Sequence, residues 1–477
     1  MITYDRLFIG GEWVWPSSAE LLDIRSPHDQ SLVGRAAQAT PADMDRAVAA
    51  ARKAFDHGPW PLTTPKERQV LISRFNELHA ERATEAAELI SAERGSPISF
   101  TGPVQAALAG QTDAYLRAAA SFGWEVPLDP SGGSKALLRR EPIGVVAAVI
   151  PWNAPHQAAL AKIVPALLAG NTVILKASPE NSLSVLMLGE IAAEVGFPEG
   201  VLSILPSDRE TSEYLISHPD VDKISFTGST AAGRRIAGIA GEQLKRVSLE
   251  LGGKSATIIL EDADLATVVA GLSFVSFANN GESCWNHSRI LAPRSRYEEV
   301  VAALKEMMEG LNVGDPADPA TAIGPMVRAG QQERVQSYIE LGIKEGARLV
   351  SGGTGVPEGL EGGCYVKPTL FADVDNSMRI AQEEIFGPVL VVIPYGDEEE
   401  AIRIANDSPY GLSGGVWTAD TARGVEIARR IRTGYFLVNA AAVSLEAPFG
   451  GYKASGIGRE FGSAGLSEYV ELKAINI

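Results

Sequence analysis

The chain has 477 residues, 45% of them hydrophobic and 21% charged, so its length suggests two or three domains with an ample core. The formal net charge of −17 argues against nucleic-acid or anionic-membrane partners, which select basic surfaces. Two cysteines cannot form a disulfide framework, and the N-terminus lacks the basic start and apolar run of a signal peptide. We therefore expect a reducing, cytoplasmic setting. The most apolar run, 143–151, is far shorter than the ~20 residues that span a bilayer, so no membrane segment is predicted.

The N-terminal third is predicted to be a helical scaffold. A short strand-like segment at 7–15 precedes Ala-rich amphipathic patterns that predict helices over 41–55, 65–92 and 104–122. Pro127, Pro130 and the SGG turn at 131–133 then interrupt the pattern within 124–141, as in an extended hairpin. We expect this hairpin to be an arm that projects from the body.

From Pro142 onward, predicted strands and helices alternate. The strands are 145–150, 172–176, 201–205, 223–227 and 247–251, and the helices between them are 156–169, 182–195, 209–217 and 231–240. Continuous apolar strands alternating with helices are typical of a parallel doubly wound α/β sheet. Such sheets bind ligands beyond the carboxyl ends of their strands. Here those ends carry PWN at 151–153, Lys176, TGS at 227–229 and Glu250, a set able to hold a dinucleotide and act on a molecule beside it.

An anion site is one interpretation of the strand-to-helix turn GSTAAG at 228–233. Its small residues would let a helix N-terminus present N–H groups to a pyrophosphate at Ser229. An ordinary tight turn fits equally well, because the run is not the GxGxxG fingerprint. Lys176 is similarly open to two interpretations, as a donor to ribose hydroxyls or as a solvated cation at a strand end.

One of the two cysteines, Cys284, lies in FANNGESCWNHSR at 277–289, just past an apolar helical pattern. A loop rich in Asn, Gly and Ser makes a thiol reachable. Only the thiolate is nucleophilic, so a catalytic role would require this loop to lower the pKa of the thiol. A lone cysteine is also commonly a small buried hydrophobe, and this stretch alone leaves both interpretations open.

A second α/β unit is predicted beyond Leu251. Its strands are 256–260, 288–292, 389–395, 414–417 and 435–439, and its helices include 297–311, 328–345 and 398–405. The last run, 467–477, alternates as a strand does. Because the thiol lies in this unit and the other candidate groups lie in the first, we expect the active site at the domain interface.

Six runs, in order, make the chain resemble the aldehyde dehydrogenase superfamily over nearly its whole length. They are PWN at 151–153, FTGST at 226–230, SLELGGKS at 248–255, NNGESC at 279–284, EEIFGPV at 383–389 and PFGGYKASGIGRE at 448–460. The resemblance implies a Rossmann-like cofactor domain over 1–122 and 142–251 and a second α/β catalytic domain over 252–455. It also implies a small β oligomerisation arm with a C-terminal tail, 123–141 and 456–477, and a homodimer or homotetramer.

The resemblance assigns Cys284 as a nucleophile that attacks an aldehyde and passes through a thiohemiacetal and a thioester. The side-chain amide of Asn153 and the backbone N–H of Cys284 would form the oxyanion hole, and Glu250 would be the base for thioester hydrolysis. Lys162 and Glu460 match a proton-relay pair, for which a structural ion pair is the alternative. No metal is expected.

The resemblance also implies a set of cofactor contacts: Ile150, Trp152, Lys176, Ser178, Phe226, Gly228, Ser229, Leu251, Gly252, Gln331, Arg334, Glu384 and Phe386. Many relatives place a glutamate on the ribose 2′-hydroxyl three residues after the cofactor lysine. Here Pro179 occupies that position and the acid follows at Glu180. Because an acid at the 2′-hydroxyl disfavours a 2′-phosphate, we expect NAD with some NADP tolerance.

Substrate choice is predicted from one helix face. Ala154, Ala158 and Ala161 share that face at the i, i+4, i+7 spacing, where relatives that use small aldehydes often have bulky groups. With His156, Trp285 and Phe449 as candidate walls, this predicts a wide apolar pocket for aromatic or terpenoid-like aldehydes.

Several alternatives remain open. The alanines could simply let helices approach closely, and the substrate could be a small aliphatic aldehyde or a semialdehyde. A thioester-forming acyl transferase and a non-catalytic relative are further alternatives, although the combination of Cys284, Asn153 and Glu250 argues against both. Near the thiol, Glu282 replaces the usual glutamine without a clear reason, and His287 is more consistent with packing than with catalysis.

Overall fold

The computed structural model describes residues 1–128, 135–440 and 443–477 and has a mixed α/β fold. The strands in these ranges are β1 (Ile2–Tyr4), β2 (Leu7–Ile9), β3 (Glu12–Val14), β4 (Leu21–Arg25), β5 (Leu32–Ala37), β6 (Glu125–Leu128), β7 (Ala136–Pro142), β8 (Val145–Val149), β9 (Thr172–Ala177), β10 (Leu202–Pro206), β11 (Lys223–Thr227), β12 (Arg246–Glu250), β13 (Ser255–Ile259), β14 (His287–Pro293), β15 (Arg348–Ser351), β16 (Thr369–Ala372), β17 (Val389–Tyr395), β18 (Gly414–Trp417), β19 (Leu437–Val438), β20 (Gly456–Ile457) and β21 (Val470–Asn476). The α-helices are α1 (Pro41–His57), α2 (Pro65–Glu81), α3 (Ala83–Arg94), α4 (Ile98–Ala120), α5 (Pro155–Ala169), α6 (Ser182–Val195), α7 (Arg209–Ser217), α8 (Thr230–Glu242), α9 (Leu265–Phe277), α10 (Tyr297–Glu309), α11 (Ala329–Lys344), α12 (Arg379–Gln382), α13 (Glu398–Asn406), α14 (Thr421–Arg430) and α15 (Gly462–Ser467).

The first large sheet has the strand order β20-β12-β11-β8-β9-β10-β2-β3. The strands from β12 to β10 pair in parallel, whereas β20 and the β2–β3 hairpin are antiparallel additions at the edges. This confirms the predicted doubly wound sheet. The chain runs from β8 to β9 and β10 on one side and returns to β11 and β12 on the other, so the order reverses between β8 and β11. Ligands of such sheets bind at this switch point, where residues 150–153 and 227–229 lie.

The second large sheet has the order β15-β16-β17-β14-β13-β18-β19 and is parallel except for β15. It places β13, which follows the LELGGKS run, beside β14, which follows the Cys284 loop. The strands β15 and β16 were not predicted. The strand predicted at 435–439 is only Leu437–Val438.

The N-terminal third differs from the prediction in three places. The segment 7–15 is a hairpin of β2 and β3 joined by Gly10 and Gly11, both with positive φ. A three-stranded sheet of β1, β5 and β4 was missed. The helical pattern at 65–92 is two helices that meet at Arg82, and the next helix begins at Ile98 and includes Pro103.

The predicted arm is a hairpin of β6 and β7, whose turn at 131–133 lies outside the described residues. The C-terminal strand β21 pairs antiparallel along β7, from Val470 opposite Pro142 to Asn476 opposite Ala136. This strand therefore begins after the short helix α15, later than predicted, and pairs within its own chain. No helix in the described ranges is both long and apolar enough to cross a membrane.

Candidate active site

A cleft of about 1390 Å³ lies between the two α/β units and is lined by residues of both. Every predicted cofactor residue lines it: Ile150, Trp152, Lys176, Ser178, Phe226, Gly228, Ser229, Leu251, Gly252, Gln331, Arg334, Glu384 and Phe386. Cys284, Glu250, Asn153 and Glu460 line it too, as do Ala154, Ala158, Ala161, Trp285 and Phe449. The structure thus brings together residues that are up to about 300 positions apart in the chain.

The loop that carries Cys284 has an unusual backbone. After α9 ends at Phe277, Asn279, Asn280 and Gly281 follow one another in the left-handed region, with φ of 58°, 61° and 77°. A left-handed conformation costs a non-glycine residue about 1–3 kcal/mol and persists where the surroundings fix it. Here Asn280 donates from Nδ2 to the carbonyls of Gly95 and Pro325, each at 3.0 Å, so the loop is held by its side chains.

Two hydrogen bonds connect Asn153 to this loop. Its side-chain Nδ2 donates to the backbone carbonyl of Glu282 at 3.0 Å, and its backbone carbonyl accepts from Nδ2 of Asn279 at 2.8 Å. A carboxamide nitrogen has two N–H donors. One N–H of Asn153 therefore fixes the orientation of the amide, and the side chain lines the same cleft as Cys284.

The sequence offered no explanation for Glu282, and the structure shows that its buried side chain stabilises the loop. Its carboxyl group is fully buried, lies 3.2 Å from Nη2 of Arg94, and accepts from the backbone N–H of Val327 at 3.2 Å. Burial raises the pKa of Glu282 to about 8, and the nearby Arg94 opposes this shift. The side chain points away from the cleft, which explains how it can differ from the usual glutamine without entering the chemistry.

Two glycines allow the backbone segments around the nucleophile to approach each other closely. A Cβ on Gly253 would lie 2.5 Å from the carbonyl oxygen of Cys284, and one on Gly281 would lie 2.4 Å from the carbonyl carbon of Gly387. Both distances are below van der Waals contact, so neither position accepts a side chain without movement of the backbone.

The loop does not lower the pKa of Cys284 in this structure. Cys284 is half-buried at the cleft wall, and the pKa of its thiol is raised well above the ordinary value of 9.0. Burial of the sulfur is the main cause, and the carboxylates of Glu384 and Glu250 add to it. The thiol must therefore lose its proton before it can act as a nucleophile.

Glu250 ends β12 with its carboxyl group buried, and neither of its oxygens has a hydrogen-bond partner among the described residues. Burial raises its pKa well above the ordinary value, and repulsion from Glu460 adds to the shift. A Cβ on Gly450 would lie 2.4 Å from Oε1 of Glu250, so this glycine makes room for the acid. A buried carboxyl group with an elevated pKa is suited to accept a proton near neutral pH.

Lys162 does not line the cleft, because its side chain is buried against Glu460 with Nζ 2.5 Å from Oε1. Glu460 is the member of the pair that reaches the cleft. The structure therefore places an ion pair here. The negative charge of Glu460 contributes to the raised pKa of Glu250.

The cofactor half has the features that a dinucleotide requires. Ser229 caps α8, accepting from the N–H of Ala232 at 3.3 Å, so the helix N-terminus faces the cleft. A Cβ on Gly228 would lie 2.5 Å from the ring of Phe226, and one on Gly252 would lie 2.4 Å from Oε2 of Glu384. A side chain at either position would therefore displace the neighbouring residue. Burial lowers the pKa of Lys176 to about 8.

Gln331 and Arg334 line the cleft but direct donors to the backbone of the next loop. Gln331 Nε2 donates to the carbonyl of Phe386 and Arg334 Nη2 to that of Glu384, each at 2.6 Å. Phe386 has a φ of +63°, and its ring meets that of Trp152 edge-on at 5.4 Å. These two side chains fix the loop that presents Glu384, whose buried carboxyl group accepts from the N–H of Gly253 at 3.0 Å and has its pKa raised to about 7 by burial.

His156 was predicted as a pocket wall, and the structure corrects this. Its ring is fully buried between helices, with Nδ1 3.0 Å from Nε2 of His79 and Nε2 2.7 Å from the carbonyl of Ser184. His156 is two residues from both Ala154 and Ala158, which at about 100° per residue places it on the opposite face of the helix. His287 is likewise buried in the interior, and burial lowers its pKa to about 4.

Several wall residues were not singled out from the sequence, because they come from segments without a recognisable motif. They include Phe100, Val104, Leu108, Gln111, Phe274, Tyr435 and Phe461. The helix α4, which supplies the first four, was interpreted as scaffold. Aromatic rings form part of this wall. The ring centroid of Phe449 lies 5.8 Å from those of both Tyr435 and Phe461, and the ring centroids of Trp285 and Phe274 are 6.1 Å apart.

Comparison with known proteins agrees with this geometry. A model of the aldehyde dehydrogenase family matches residues 13–475. Geranial dehydrogenase of Castellaniella defragrans is 45% identical over 475 residues, covering 99% of both chains. A 3-succinoylsemialdehyde-pyridine dehydrogenase from Pseudomonas is 42% identical and is covered over 99% of its length. The crystal structure of a Mycobacterium tuberculosis aldehyde dehydrogenase complexed with NAD+ superimposes with a TM-score of 0.94 at 48% identity, covering 99% of this chain and 98% of that one. This chain belongs to the aldehyde dehydrogenase family and is an enzyme that oxidises aldehydes to carboxylic acids.

Proposed function

We propose that this enzyme oxidises bulky, largely apolar aldehydes, aromatic or terpenoid-like, with NAD as the main cofactor and Cys284 as the nucleophile. The observation that carries the proposal is that Cys284, Asn153 and Glu250 line one cleft with the cofactor candidates on one side and an apolar wall on the other. The geranial dehydrogenase relative and the NAD+ complex of a similar structure support the substrate class and the cofactor.

The first step is attack of the Cys284 thiolate on the aldehyde carbon, which forms a C–S bond and moves the carbonyl electron pair onto oxygen. The free N–H of Asn153 and the backbone N–H of Cys284 stabilise that oxyanion. Loss of one such donor typically costs roughly 10²–10³ in rate. Because the hydrogen bond to Glu282 holds the amide in place before the reaction, no reorganisation is needed at this step.

Bound in the cleft, NAD would supply the two-electron oxidation of the thiohemiacetal. The capped N-terminus of α8, Lys176 and the loop at 384–386 would hold it, since these groups line the cofactor side. The residual acyl group is a thioester on Cys284. Glu250 then takes a proton from water as the water attacks the thioester carbonyl, and the C–S bond breaks to release the acid and the thiolate.

The shape and charge of the substrate side support a bulky apolar aldehyde. Ala154, Ala158 and Ala161 leave the helix face open, and the aromatic and aliphatic walls supply apolar contacts. Among the described residues on that side, from α4, α5, the Cys284 loop and 443–461, none of those lining the cleft is lysine or arginine. A substrate carboxylate would have no cationic partner there, which disfavours a semialdehyde acid.

The test is reduction of NAD by the purified chain with a panel from acetaldehyde through benzaldehyde to citral, with Cys284→Ala beside it. We expect Cys284-dependent reduced cofactor and kcat/KM values that rise toward the bulky members. Values that peak at acetaldehyde would reject the substrate class. Production of an acyl-transfer product in place of the acid would reject hydrolysis.

We also propose the predicted domain division, with residues 1–122 and 142–251 binding cofactor and 252–455 carrying the nucleophile. The two large sheets support this division. The remaining segments would join subunits in a homodimer or homotetramer, because the three-stranded sheet β21-β7-β6 has edge strands able to pair with another chain. Light scattering of the purified protein tests this assembly, and a monomer would contradict it.

A further inference from the structure

We infer that Arg94 is a positioning residue for aldehyde oxidation: it fixes the side-chain amide of Asn279, which in turn holds Asn153, the candidate oxyanion donor. The inference rests on the proposed function, because that function assigns the oxyanion to Asn153. Arg94 is the last residue of α3, is 1% exposed and does not line the cleft. Any effect of Arg94 on the reaction must therefore act through other residues.

The guanidinium group of Arg94 determines which way the amide of Asn279 points. Nη1 of Arg94 donates to Oδ1 of Asn279, and the hydroxyl of Ser96 donates to the same oxygen at 2.6 Å. A guanidinium group has donors only, whereas a hydroxyl can donate or accept. Arg94 is therefore the contact that requires an oxygen at this position, and the amide nitrogen of Asn279 must point the other way.

The amide nitrogen of Asn279 contacts two backbone carbonyls beside the nucleophile. Nδ2 donates to the carbonyl of Asn153 at 2.8 Å and to that of Glu282 at 3.3 Å. The Glu282 carbonyl also accepts from the side-chain Nδ2 of Asn153 at 3.0 Å. Asn279 thus holds both the backbone of Asn153 and the carbonyl that orients its side-chain amide. If the Asn279 amide turned over, its oxygen would face these carbonyl oxygens and both hydrogen bonds would be lost.

Two further contacts of Arg94 act on the same two segments. Nη2 lies 3.2 Å from Oε2 of Glu282, which is two residues before Cys284. The guanidinium group also lies 5.7 Å from the ring centroid of Trp152, the residue before Asn153. One buried cation therefore contacts the nucleophile loop and the segment that carries the oxyanion donor.

The chain on either side of Arg94 is itself held in place. The buried carboxyl group of Glu93 accepts from the backbone N–H of Ser184 at 3.2 Å, and the carbonyl of Gly95 accepts from Nδ2 of Asn280 at 3.0 Å. A supporting residue can position a catalytic group only when its own conformation is fixed. These contacts fix the end of α3, so Arg94 meets that condition.

The chain offers a matched control for the removal of Arg94. Arg94→Met removes the guanidinium group and keeps a long side chain. Because this leaves the buried carboxyl group of Glu282 without its cation, Arg94→Met/Glu282→Gln, compared with Glu282→Gln alone, is the second variant should the first fold poorly. Arg68→Met is the control: Arg68 is 4% exposed, lies on α2, does not line the cleft, and donates from Nε to the carbonyl of Leu168 at 2.8 Å.

The experiment is a double-mutant cycle between Arg94 and Asn153, with the rate of NAD reduction in the first turnover as its readout. It uses the full chain, saturating NAD, and acetaldehyde, benzaldehyde or citral, whichever the wild type oxidises fastest. Arg94→Met should lower this rate at least about tenfold, because a small displacement of a catalytic group costs much of the rate. In the Asn153→Ala background the same substitution should change the rate less than about twofold, since the donor that Arg94 positions is absent. Arg68→Met should keep the wild-type rate.

A role of Arg94 in general stability would give the same fold-loss in both backgrounds, and that result would overturn the inference. An Arg94→Met rate equal to that of the wild type would overturn it too, as would an equal loss in Arg68→Met.

The single variant Asn153→Ala is the separate readout of the proposed function. If Asn153→Ala is slow while Arg94→Met is not, the inference alone fails. If Asn153→Ala keeps the wild-type rate, or if the wild type oxidises none of the three aldehydes, the proposed function fails and the inference fails with it.

Discussion

Asn153 donates from its side-chain amide to the backbone carbonyl of Glu282 at 3.0 Å, which connects the end of a strand in the first sheet to the loop that carries Cys284 in the second unit. The contact holds the amide at the nucleophile and also holds the two units together at the reacting centre. A substitution at Asn153 should therefore affect both the rate and the contact between the two units.

Asn153→Ala should lower kcat by roughly 10²–10³, because the oxyanion loses a donor that is fixed in advance. Steady-state assay of the purified variant measures this loss. NAD affinity should change little, since the cofactor side of the cleft is unaltered. Isothermal titration of NAD into the variant is therefore the control. A kcat within a factor of about two of wild type would remove Asn153 from the oxyanion site.

Glu282→Ala should destabilise the protein by about 3–5 kcal/mol, because it leaves the buried guanidinium of Arg94 without its acidic partner. Glu282→Gln also removes the acidic partner but keeps a hydrogen-bond acceptor for Arg94 and Val327, so its loss of stability should be smaller. Urea unfolding followed by fluorescence compares the two variants. Equal stability of the alanine and glutamine variants would show that the hydrogen bonds of this side chain contribute little.

Ala158→Phe should cut kcat/KM for citral and benzaldehyde at least about tenfold while leaving acetaldehyde unaffected, because the added ring fills the opened helix face. Steady-state kinetics on the three aldehydes measures the split. His156 lies on the opposite face of the same helix and points into the interior, so its substitution reports stability and not specificity. An Ala158→Phe variant that keeps its bulky-substrate activity would show that the pocket lies elsewhere.

Cofactor preference should depend on Glu180, whose carboxylate accepts from the hydroxyl of Ser178 and pairs with Arg328 across the cleft. The wild type should give a higher kcat/KM with NAD than with NADP. Glu180→Ala removes the acid and leaves Arg328 free to attract a 2′-phosphate, so the NADP value should rise. The double variant with Arg328→Ala should lose that gain. An NADP preference in the wild type would refute this account.

Activity should increase from neutral to alkaline pH. Glu250 acts as a base only when ionised, and because its pKa is raised by burial, its ionised fraction grows as pH rises. The same sign holds for Cys284, whose thiol must lose a proton before it attacks. The kcat profile of the wild type measures this rise, and the first-turnover rate of Glu250→Gln isolates the part that belongs to Cys284. A flat or falling wild-type profile would contradict the raised pKa values.

Much of the fold was predictable, because the strands from β8 to β12 are short, largely buried runs separated by helical periods. The sheet of β1, β4 and β5 was not, since its strands are short and partly exposed. The candidate catalytic and cofactor residues line the cleft, with the exception of Lys162. Gln111, Phe100 and Phe274 were missed because pocket walls come from helices whose sequence pattern is that of ordinary packing.

Two side-chain outcomes depended on packing that the sequence pattern does not show. As a polar residue near the alanine face, His156 was a candidate for the pocket wall. Its position on the helix instead directs its ring toward His79. A catalytic role for Cys284 was said to require a lowered pKa, but burial of the sulfur and the nearby carboxylates of Glu384 and Glu250 raise it. The carboxylates around Cys284 come from segments that are distant in the sequence. The local sequence around the cysteine therefore does not predict them.

The central claim is that Cys284 forms a thioester which Glu250 helps to hydrolyse, and intact-protein mass spectrometry tests it most directly. Glu250→Gln is mixed with NAD and citral or benzaldehyde and quenched in acid. We predict a covalent adduct equal to the aldehyde less two hydrogens, located on Cys284 by peptide mapping and lost in the Cys284→Ala double variant. An adduct-free Glu250→Gln variant that turns over at the wild-type rate would contradict the account.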